Sequence, residues 1–338
     1  MVVKVDLIVP GLFDLPVDEL DPRFLILELP ALNQVLRFAR PCQNHAFDLE
    51  SMLIQSMGWT GLQTLPFAQA YATQEEQTSD KYLLFRPIHL RADMHSAIVL
   101  PIDSNRVNDH DIEIIIKDLK ELFTVDCEVS KVQERLWLMR LNQCIPAQHY
   151  PHYLSVIGRK SDPFVQQSKQ YLPWYKLINE MQMFMHQHEI NRNRIESGLL
   201  PVNSLWFWGV GNLSKLAARN INWYCDDPLL KQFAAVANIN CATLDDFRTL
   251  DIDCDSVVID LSLLEALKSP HESKLQELLS NIEESLFKPV LKQVRGRQCV
   301  LRLRSGSQFD LKMTAYSTFQ WWKKSKSLVE LAGILQSG

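Results

Sequence analysis

Hydrophobic residues recur with two different periods along the chain, and these periods predict an alternation of strands and helices. The opening stretch VVKVDLIVPGL predicts a strand that ends at Pro10 and Gly11. LPALNQVLRFAR and FDLESMLIQSMG carry apolar residues at helical spacing, with Asp48 near the start of the second helix and Gly58 at its end. The polar segment 72–81 then predicts the first domain boundary.

The next part of the chain has a different pattern. YLLFRPIHLRADMHSAIVLPID predicts a β-hairpin, NDHDIEIIIKDLKELF an amphipathic helix, and CEVSKVQERLWLMRL a second pair of strands. This ββαββ order predicts a small α+β subdomain. A long helix is then expected from Pro173 to Gly198.

The α/β alternation resumes at Asn203 with SLWFWGVG as a strand, and it continues through SVVIDL and QCVLRLRSG. We therefore predict an α/β fold, with a core sheet flanked by helices and an inserted α+β subdomain. The expected core comprises residues 1–78 and 203–338, and the insertion comprises residues 79–202.

Composition narrows the classes of function. The net charge of −5 argues against a nucleic-acid partner. No apolar stretch approaches about 18 residues, so no membrane association is expected. The seven cysteines include no C-x-x-C pair, and no signal peptide is evident, which together predict reduced thiols and a cytoplasmic location.

Polar side chains form one face of the predicted long helix. Asn179, Gln182 and His186 recur at spacings of three and four, which is typical either of a solvated face or of a hydrogen-bonding wall. In the second interpretation the wall meets three residues that follow it, and these are candidate ligand-binding residues. They are Asn191, Arg194 and Asn203.

SLWFWGVG combines large aromatic side chains with two glycines, whose backbone no side chain covers. Trp206 and Trp208 point to one side of the expected strand, and Phe207 points to the other. One interpretation is a core strand that ends in a tight turn. The other is that Gly209 and Gly211 allow a ligand to approach free amides at the carboxyl end of the strand.

Arg91 is a further candidate on the predicted hairpin. Together with Arg194 it could bind a phosphate or carboxylate through two hydrogen bonds. The alternative is that Arg91 pairs locally with Asp93 at the surface.

A longer stretch, HEINRNRIESGLLPVNSLWFWGVG, resembles a segment of the archaeal-type cofactor-independent phosphoglycerate mutases of the alkaline phosphatase superfamily. RPIHLRAD, LINEMQMFMHQH and DDPLL extend the likeness to a bacterial group, the RpfE-type regulatory proteins. The resemblance implies an alkaline-phosphatase-like core sheet. It matches the family at His188, Asn191, Arg194, Gly198, Pro201, Asn203, Trp206, Trp208, Gly209 and Gly211.

The chain departs from that family where the family holds its metals. The resemblance implies two divalent cations bound by Asp and His, with a Ser or Thr nucleophile between them. Pro10 stands where the first metal-binding Asp is expected, and no nucleophile loop follows. Only Asp14, Asp260 and His271 remain as candidate relics of the metal site.

Three hypotheses follow. The first is a catalytically degenerate phosphoglycerate mutase-like protein that needs no cofactor and has a regulatory role or binds a small phosphate- or carboxylate-bearing ligand. The second is an active mutase or phosphatase that depends on Mn²⁺ or Mg²⁺. The third is a scaffold whose partners are other proteins.

Overall fold

The computed structural model describes residues 2–15, 27–44, 46–72, 81–93, 96–102, 109–142, 149–161, 164, 168–249, 254–268, 275–306, 309–320, 322–324 and 328. The chain forms two compact units. The core unit comprises Met1–Thr60 and Ala217–Gly338, and the inserted unit comprises Gly61–Leu216. None of the helices in the described ranges has both the length and the apolar character that crossing a bilayer requires.

The strands are short and fall into two sheets. In chain order they are β1 (Val3–Ile8), β2 (Arg40–Gln43), β3 (Tyr82–Ala92), β4 (Ala97–Pro101), β5 (Cys127–Gln133), β6 (Leu136–Leu141), β7 (Ser204–Trp208), β8 (Asn222–Cys225), β9 (Cys241–Ala242), β10 (Ser256–Ile259), β11 (Cys299–Arg304) and β12 (Phe309–Met313).

Eleven α-helices lie between these strands in the described part of the chain. They are α1 (Pro30–Phe38), α2 (Leu49–Met57), α3 (Asp109–Leu122), α4 (Tyr153–Val156), α5 (Leu172–Gln187), α6 (Glu189–Glu196), α7 (Pro228–Val236), α8 (Leu244–Thr249), α9 (Ser262–Leu267), α10 (Leu275–Ile282) and α11 (Lys288–Arg295).

The core unit is built on a seven-stranded sheet of order β2-β12-β11-β1-β10-β8-β9. β1 lies between β10 and β11 and is parallel to both, whereas β12 is antiparallel to its neighbours β11 and β2. Apolar side chains of β1 and β11 pack against α1, α10 and α11, as the predicted α/β core requires. The carboxyl ends of β1, β8, β10 and β11 therefore meet at one edge of this sheet.

Helix termini in the core unit confirm the signals in the sequence. α2 begins after Asp48, whose side chain accepts a hydrogen bond from the Ser51 amide, and it ends at Gly58 in the left-handed region. α1 lacks a cap of its own. The buried Glu283 carboxylate supplies one by accepting the amides of Ala31 and Leu32 at 2.6 and 2.9 Å.

The inserted unit contains the predicted ββαββ arrangement, with β3 and β4 as the hairpin, α3 as the amphipathic helix, and β5 and β6 as the second pair. β3 is the longest strand, and it pairs with β4, β6 and β7. Aromatic side chains fill the space between this sheet and α5, where the Trp174 and Phe207 rings lie 4.9 Å apart.

Two sequence-based expectations are wrong. The strand formed by SLWFW was expected to open the second half of the core, but β7 pairs with β3 in the sheet of the inserted unit. The single helix expected from Pro173 to Gly198 is two helices. His188 has an extended backbone between them, and its Nδ1 accepts the Ile190 amide to start α6.

Candidate functional site

The first candidate site is the carboxyl edge of the seven-stranded sheet, where open α/β folds bind ligands. Pro10 follows β1 at this edge and is buried. Asp260 directly follows β10, and its amide donates to the Ile8 carbonyl at 3.0 Å. The structure therefore brings Pro10 and Asp260 to neighbouring positions, as the strand order requires.

Asp14 and Asp260, two of the three residues predicted to be relics of the metal site, differ in their burial. The Asp14 residue is exposed. Asp260 is only 7% exposed, and its Oδ1 accepts both the amide (2.9 Å) and the hydroxyl (2.5 Å) of Ser262. Burial raises the pKa of the Asp260 carboxyl, although the two hydrogen bonds from Ser262 oppose that shift. His271, the third candidate, lies outside the described residues.

The described donors at this edge do not fit a pair of divalent cations. Two cations about 4 Å apart need several anionic oxygens or imidazole nitrogens between them. Pro10 has no side-chain donor atom, and one oxygen of Asp260 is already hydrogen-bonded to Ser262. Across the ranges that the structure covers, no group of three or more His, Cys, Asp or Glu residues is arranged to hold a metal ion.

The second candidate site is the row of polar residues predicted in the inserted unit, and Asn191 is its most buried member at 1% exposure. Its Nδ2 donates to the carbonyls of Met185 (2.6 Å) and Val202 (2.7 Å), and its Oδ1 accepts the Val202 amide at 2.8 Å. The Asn191 side chain thus joins the end of α5 to the segment that leads into β7.

Arg194, on the next turn of α6, also binds the segment that leads into β7. Its Nε and Nη2 donate to the Leu200 carbonyl at 3.0 and 2.6 Å, and its Nη1 lies 3.8 Å from an Asp111 oxygen. Burial lowers the pKa of Arg194, while the Asp111 charge opposes that shift. The guanidinium of Arg194 is thus used largely by backbone and by one carboxylate.

Asn203 and Arg91 complete the predicted polar set but do not share a site. Asn203 binds the backbone of Leu90 in both directions, at 2.7 Å and 2.9 Å. Arg91 is exposed on β3, and the carboxylate of Asp93 lies 3.3 Å from the Lys160 ammonium. A direct contact of Arg91 or Arg194 with a phosphate stays a prediction.

The two tryptophans of β7 lie among aromatic and polar groups. Trp206 is only 5% exposed, and its Nε1 donates to the Pro151 carbonyl at 3.0 Å. Trp208 is 1% exposed, and its Nε1 has no hydrogen-bond partner among the described residues. Its ring stands edge-on to His152, and the two centroids are 5.5 Å apart.

His152 is a buried titratable group near these rings with a strongly shifted pKa. It is buried, and its Nδ1 accepts the Leu154 amide at 3.2 Å. Burial lowers the pKa of His152 to about 3, and the nearby positive charge of Arg86 acts in the same direction. His152 is therefore a neutral imidazole at physiological pH.

The two glycines after β7 lie where two backbone segments approach each other closely. A Cβ atom on Gly209 would lie 2.9 Å from the Ala68 nitrogen, and one on Gly211 would lie 3.1 Å from the Pro66 Cβ. The Ala68 amide donates to the Gly209 carbonyl at 3.0 Å. Since Gly209 also has a φ of +77°, it meets both conditions that require glycine.

Gly211 also lines a small cavity of about 170 Å³ at the end of this turn. Thr64, His149, Asn212 and Lys215 line it too, and the Thr64 hydroxyl lies 3.0 Å from His149 Nδ1. The sequence analysis did not identify these four residues. Asn212 and Lys215 follow the glycines directly, so their position in the sequence is a signal that could have identified them.

A second cavity of about 130 Å³ lies beside β7 and is lined by Trp206, Ser204 and Gln182. Gln182 belongs to the predicted polar face of α5, and its Nε2 donates to the Ser204 hydroxyl at 2.9 Å. Of the predicted polar face, Gln182 makes this contact, whereas Asn179 and His186 are exposed. Of the predicted ligand-binding residues, Trp206 lines this cavity and Gly211 lines the other, and Asn191, Arg194, Asn203, Trp208 and Gly209 line neither of them.

Comparisons with known proteins place this geometry in context. No protein-family profile matches the chain. It is 32% identical over 76 residues to the 2,3-bisphosphoglycerate-independent phosphoglycerate mutase of Methanosarcina mazei. It is also 31% identical over 71 residues to a probable enzyme of the same name from Geobacter sulfurreducens. These matches span 22% and 21% of this chain and only 18% of each relative.

Among solved structures, the PH0037 protein from Pyrococcus horikoshii is similar over the whole of this chain and 97% of its own, with a TM-score of 0.51 and 13% identity. The cofactor-independent phosphoglycerate mutase from Thermoplasma acidophilum gives a TM-score of 0.41 at the same identity. The fold is α/β and alkaline-phosphatase-like, with sheets flanked by helices. The two curated proteins that share the short matched segments are named as phosphoglycerate mutases, one of them as a probable one.

Proposed function

We propose that this chain is a phosphoglycerate mutase-like protein that has lost two-metal phosphoryl transfer and binds a small phosphate- or carboxylate-bearing ligand in a regulatory role. The observation that carries the proposal is Pro10, which follows β1 where the family resemblance puts a metal-binding Asp. A proline side chain cannot donate electrons to a cation, so one ligand of the expected centre is missing at its central strand.

The carboxylates near Pro10 support the same proposal. Asp260 is buried with a raised pKa and is hydrogen-bonded to Ser262, which stabilises it without a cation. Asp14 is exposed, and an exposed carboxylate binds an isolated divalent cation only weakly because it stays hydrated. We propose on these grounds that phosphoryl transfer is not the activity of this chain.

We assign ligand binding to the cavity that Gly211 lines. Its volume of about 170 Å³ is below the roughly 300 Å³ at which pockets for drug-sized ligands begin, and it suits a smaller ligand. Lys215 supplies a positive charge, and Thr64 supplies a hydroxyl. Charge-assisted hydrogen bonds of this kind bind phosphate and carboxylate groups.

Thermal unfolding with and without ligands tests the proposal. 3-Phosphoglycerate, Mg²⁺ and Mn²⁺ are added alone and together, and mutase turnover is measured on the same samples. We expect 3-phosphoglycerate at roughly ten times its Kd to add about 1.4 kcal/mol of stability. That would raise the Tm by roughly 3–5 °C without metal. We expect no turnover in any sample.

Two variants locate the binding. Lys215→Gln should remove the shift caused by 3-phosphoglycerate, whereas Lys169→Gln, an equally exposed cation of the inserted unit, should leave it unchanged. A shift that requires Mn²⁺ or Mg²⁺ together with turnover would establish an active mutase instead. No shift with any phosphoglycerate would overturn the binding role and favour a scaffold for protein partners.

The same proposal includes the subgroup of the protein and its location in the cell. RPIHLRAD, LINEMQMFMHQH and DDPLL favour the RpfE-type group of bacterial regulatory proteins. The scattered cysteines favour a cytoplasmic location.

A further inference from the structure

A row of three basic residues crosses three neighbouring strands of the seven-stranded sheet. Arg302 on β11 lies directly opposite Lys312 on β12, and Lys312 lies directly opposite Arg40 on β2. Residues directly opposite each other on paired strands point to the same face of a sheet. Arg302, Lys312 and Arg40 therefore form one row on one face, which we call the cation row.

The cation row has no direct ion-pair partner in the described part of the chain, although Asp6 lies opposite Arg302 on β1 and the charge of Arg302 acts on the Asp310 carboxylate. Among the described residues, no hydrogen bond or ion pair joins the side chains of Arg302, Lys312 or Arg40 to another residue. Like charges directly opposite each other on paired strands destabilise a sheet by roughly 0.2–1 kcal/mol per pair. The row contains two such pairs, so the folded chain retains a repulsion that a bound anion would relieve.

The acidic groups nearest the row are already engaged. Asp6 lies beside Arg302 on β1, and its Oδ2 accepts from Arg304 Nε at 3.2 Å. The Asp310 carboxylate lies 3.2 Å from Nη1 of the same fully buried Arg304. The Asp255 carboxylate accepts the Lys4 amide at 2.8 Å. Asp6 and Asp255 also line the cavity over this face. The cations in the lining are Lys4, Arg219, Arg302 and Lys312, so the lining carries more positive than negative charge.

Two members of the row, Arg302 and Lys312, line a concave site. A cavity of about 490 Å³ lies over this face, and that volume is within the range that holds small-molecule ligands. The strands contribute Lys4, Arg302 and Lys312 to its lining, and the end of α2 contributes Gln55 and Gly58. Arg219 adds a further cation, and it donates to the Gly58 carbonyl at 2.8 Å.

The spacing of the row indicates how much charge a ligand would carry. Neighbouring strands are about 4.8 Å apart, so the two outer cations of the row are roughly 10 Å apart. Arg302 and Lys312 are the members of the row that line the cavity, and they lie on neighbouring strands, so two linked phosphates could contact both of them at once. Arg and Lys are the side chains that bind phosphate groups most directly.

We propose that the cation row and the cavity above it bind a small molecule that carries a diphosphate or two phosphate groups. The site includes the amino-terminal halves of β1 and β11, because Lys4 and Val300 line the cavity. It uses none of the residues assigned to 3-phosphoglycerate in the inserted unit. The proposal therefore does not rest on the proposed function.

Isothermal titration calorimetry with pyrophosphate tests the site, with ionic strength held constant because salt screens exposed charges. We expect wild-type protein to bind one pyrophosphate per chain, and more tightly than inorganic phosphate. The double variant Arg302→Gln/Lys312→Gln should weaken pyrophosphate binding by about tenfold or more, since it removes two charge-assisted contacts.

A matched double variant controls for net charge. Arg248→Gln/Lys292→Gln removes two exposed cations of the core unit away from the cavity and should leave the Kd within about twofold, as screened distant charges contribute little. Without ligand, Arg302→Gln/Lys312→Gln should be at least as stable as wild type, because it relieves repulsion. This separates lost binding from lost folding.

Three outcomes would overturn the proposal. Wild-type protein could fail to bind pyrophosphate. The Arg302→Gln/Lys312→Gln variant could bind it as tightly as wild type. Pyrophosphate binding could disappear in Lys215→Gln instead, which would assign the anion to the cavity of the inserted unit.

Discussion

Polar side chains have opposite surroundings in two regions of this molecule. In the inserted unit, Asn191 and Arg194 are almost fully buried, and backbone carbonyls accept most of their donors. In the core unit, Arg302 and Lys312 face each other across paired strands, and within the described chain neither side chain takes part in a direct ion pair. Buried polar groups that bind the backbone hold a fold together. Of the Asn191 and Arg194 donors, only Arg194 Nη1 lacks a hydrogen bond among the described residues, and it has the longer contact with Asp111 instead. Like charges that line a cavity without a direct ion pair are candidates for binding an anion.

Removal of the Asn191 side chain is the strongest test of this comparison. Asn191→Ala leaves the carbonyl and the amide of Val202 without this side-chain partner, and the Met185 carbonyl keeps only the His188 amide. Each unsatisfied buried group costs about 1–3 kcal/mol, so we expect the free energy of unfolding to fall by roughly 3–4 kcal/mol. Urea unfolding measures the loss.

Asn193→Ala is the matched control, since Asn193 is exposed on the same helix and should change stability by about 0.5 kcal/mol or less. A loss below about 1 kcal/mol for Asn191→Ala would contradict a structural role. It would return Asn191 to the ligand contacts that the sequence suggested.

A change of pH provides a second test of this comparison. It titrates His152, a buried residue of the inserted unit, and does not titrate arginine or lysine side chains. The pKa of His152 is about 3 in the folded chain, against 6.5 for an ordinary histidine. Between these values the unfolded chain binds a proton that the folded chain does not, so stability falls as pH falls. From about pH 7.5 to about pH 5 the expected loss is about 2 kcal/mol.

His152→Asn isolates this contribution. Asparagine keeps a side-chain acceptor for the Leu154 amide at the start of α4 but does not titrate. The variant should therefore lose about 2 kcal/mol of the pH dependence measured by urea unfolding over that range. His186→Asn, at an exposed position, should leave the slope as it is in wild type. Equal slopes in all three proteins would show that His152 titrates normally.

Local features of this fold could be predicted because their causes lie close together in the sequence. Asp48 and Gly58 start and end α2 through contacts with residues at most four positions away. The ββαββ order of the inserted unit follows from the change of hydrophobic period between 82 and 141. Such signals need no knowledge of distant partners.

Long-range pairing could not be predicted in the same way. β7 is buried on both faces, as its aromatic residues indicated, but its partner β3 lies more than a hundred residues earlier in the chain. A buried strand is apolar in either sheet, so its pattern does not select one. The break at His188 was missed for a related reason, because histidine is a weak helix breaker and acts here through its ring nitrogen.

The candidate sites show the same limit. Gly209 and Gly211 could be singled out from the sequence, but their cause, the close approach of Pro66 and Ala68, is a tertiary contact. The cation row was missed altogether, since Arg40, Arg302 and Lys312 become neighbours only when β2, β12 and β11 pair in this register. A register difference of one residue would place them on opposite faces.

The smallest expected effect tests the other side of the comparison, the repulsion within the cation row. Lys312→Glu places a carboxylate between Arg302 and Arg40 and converts two repulsive cross-strand pairs into attractive ones. We expect a gain of about 1 kcal/mol in the free energy of unfolding, and Lys312→Gln, which only removes the repulsion, should give roughly half of it. Urea unfolding at low salt measures both, and high salt should shrink the difference because it screens the charges. If both variants are less stable than wild type, the cations of the row do not repel one another, and the physical reason for an anion at this face is lost.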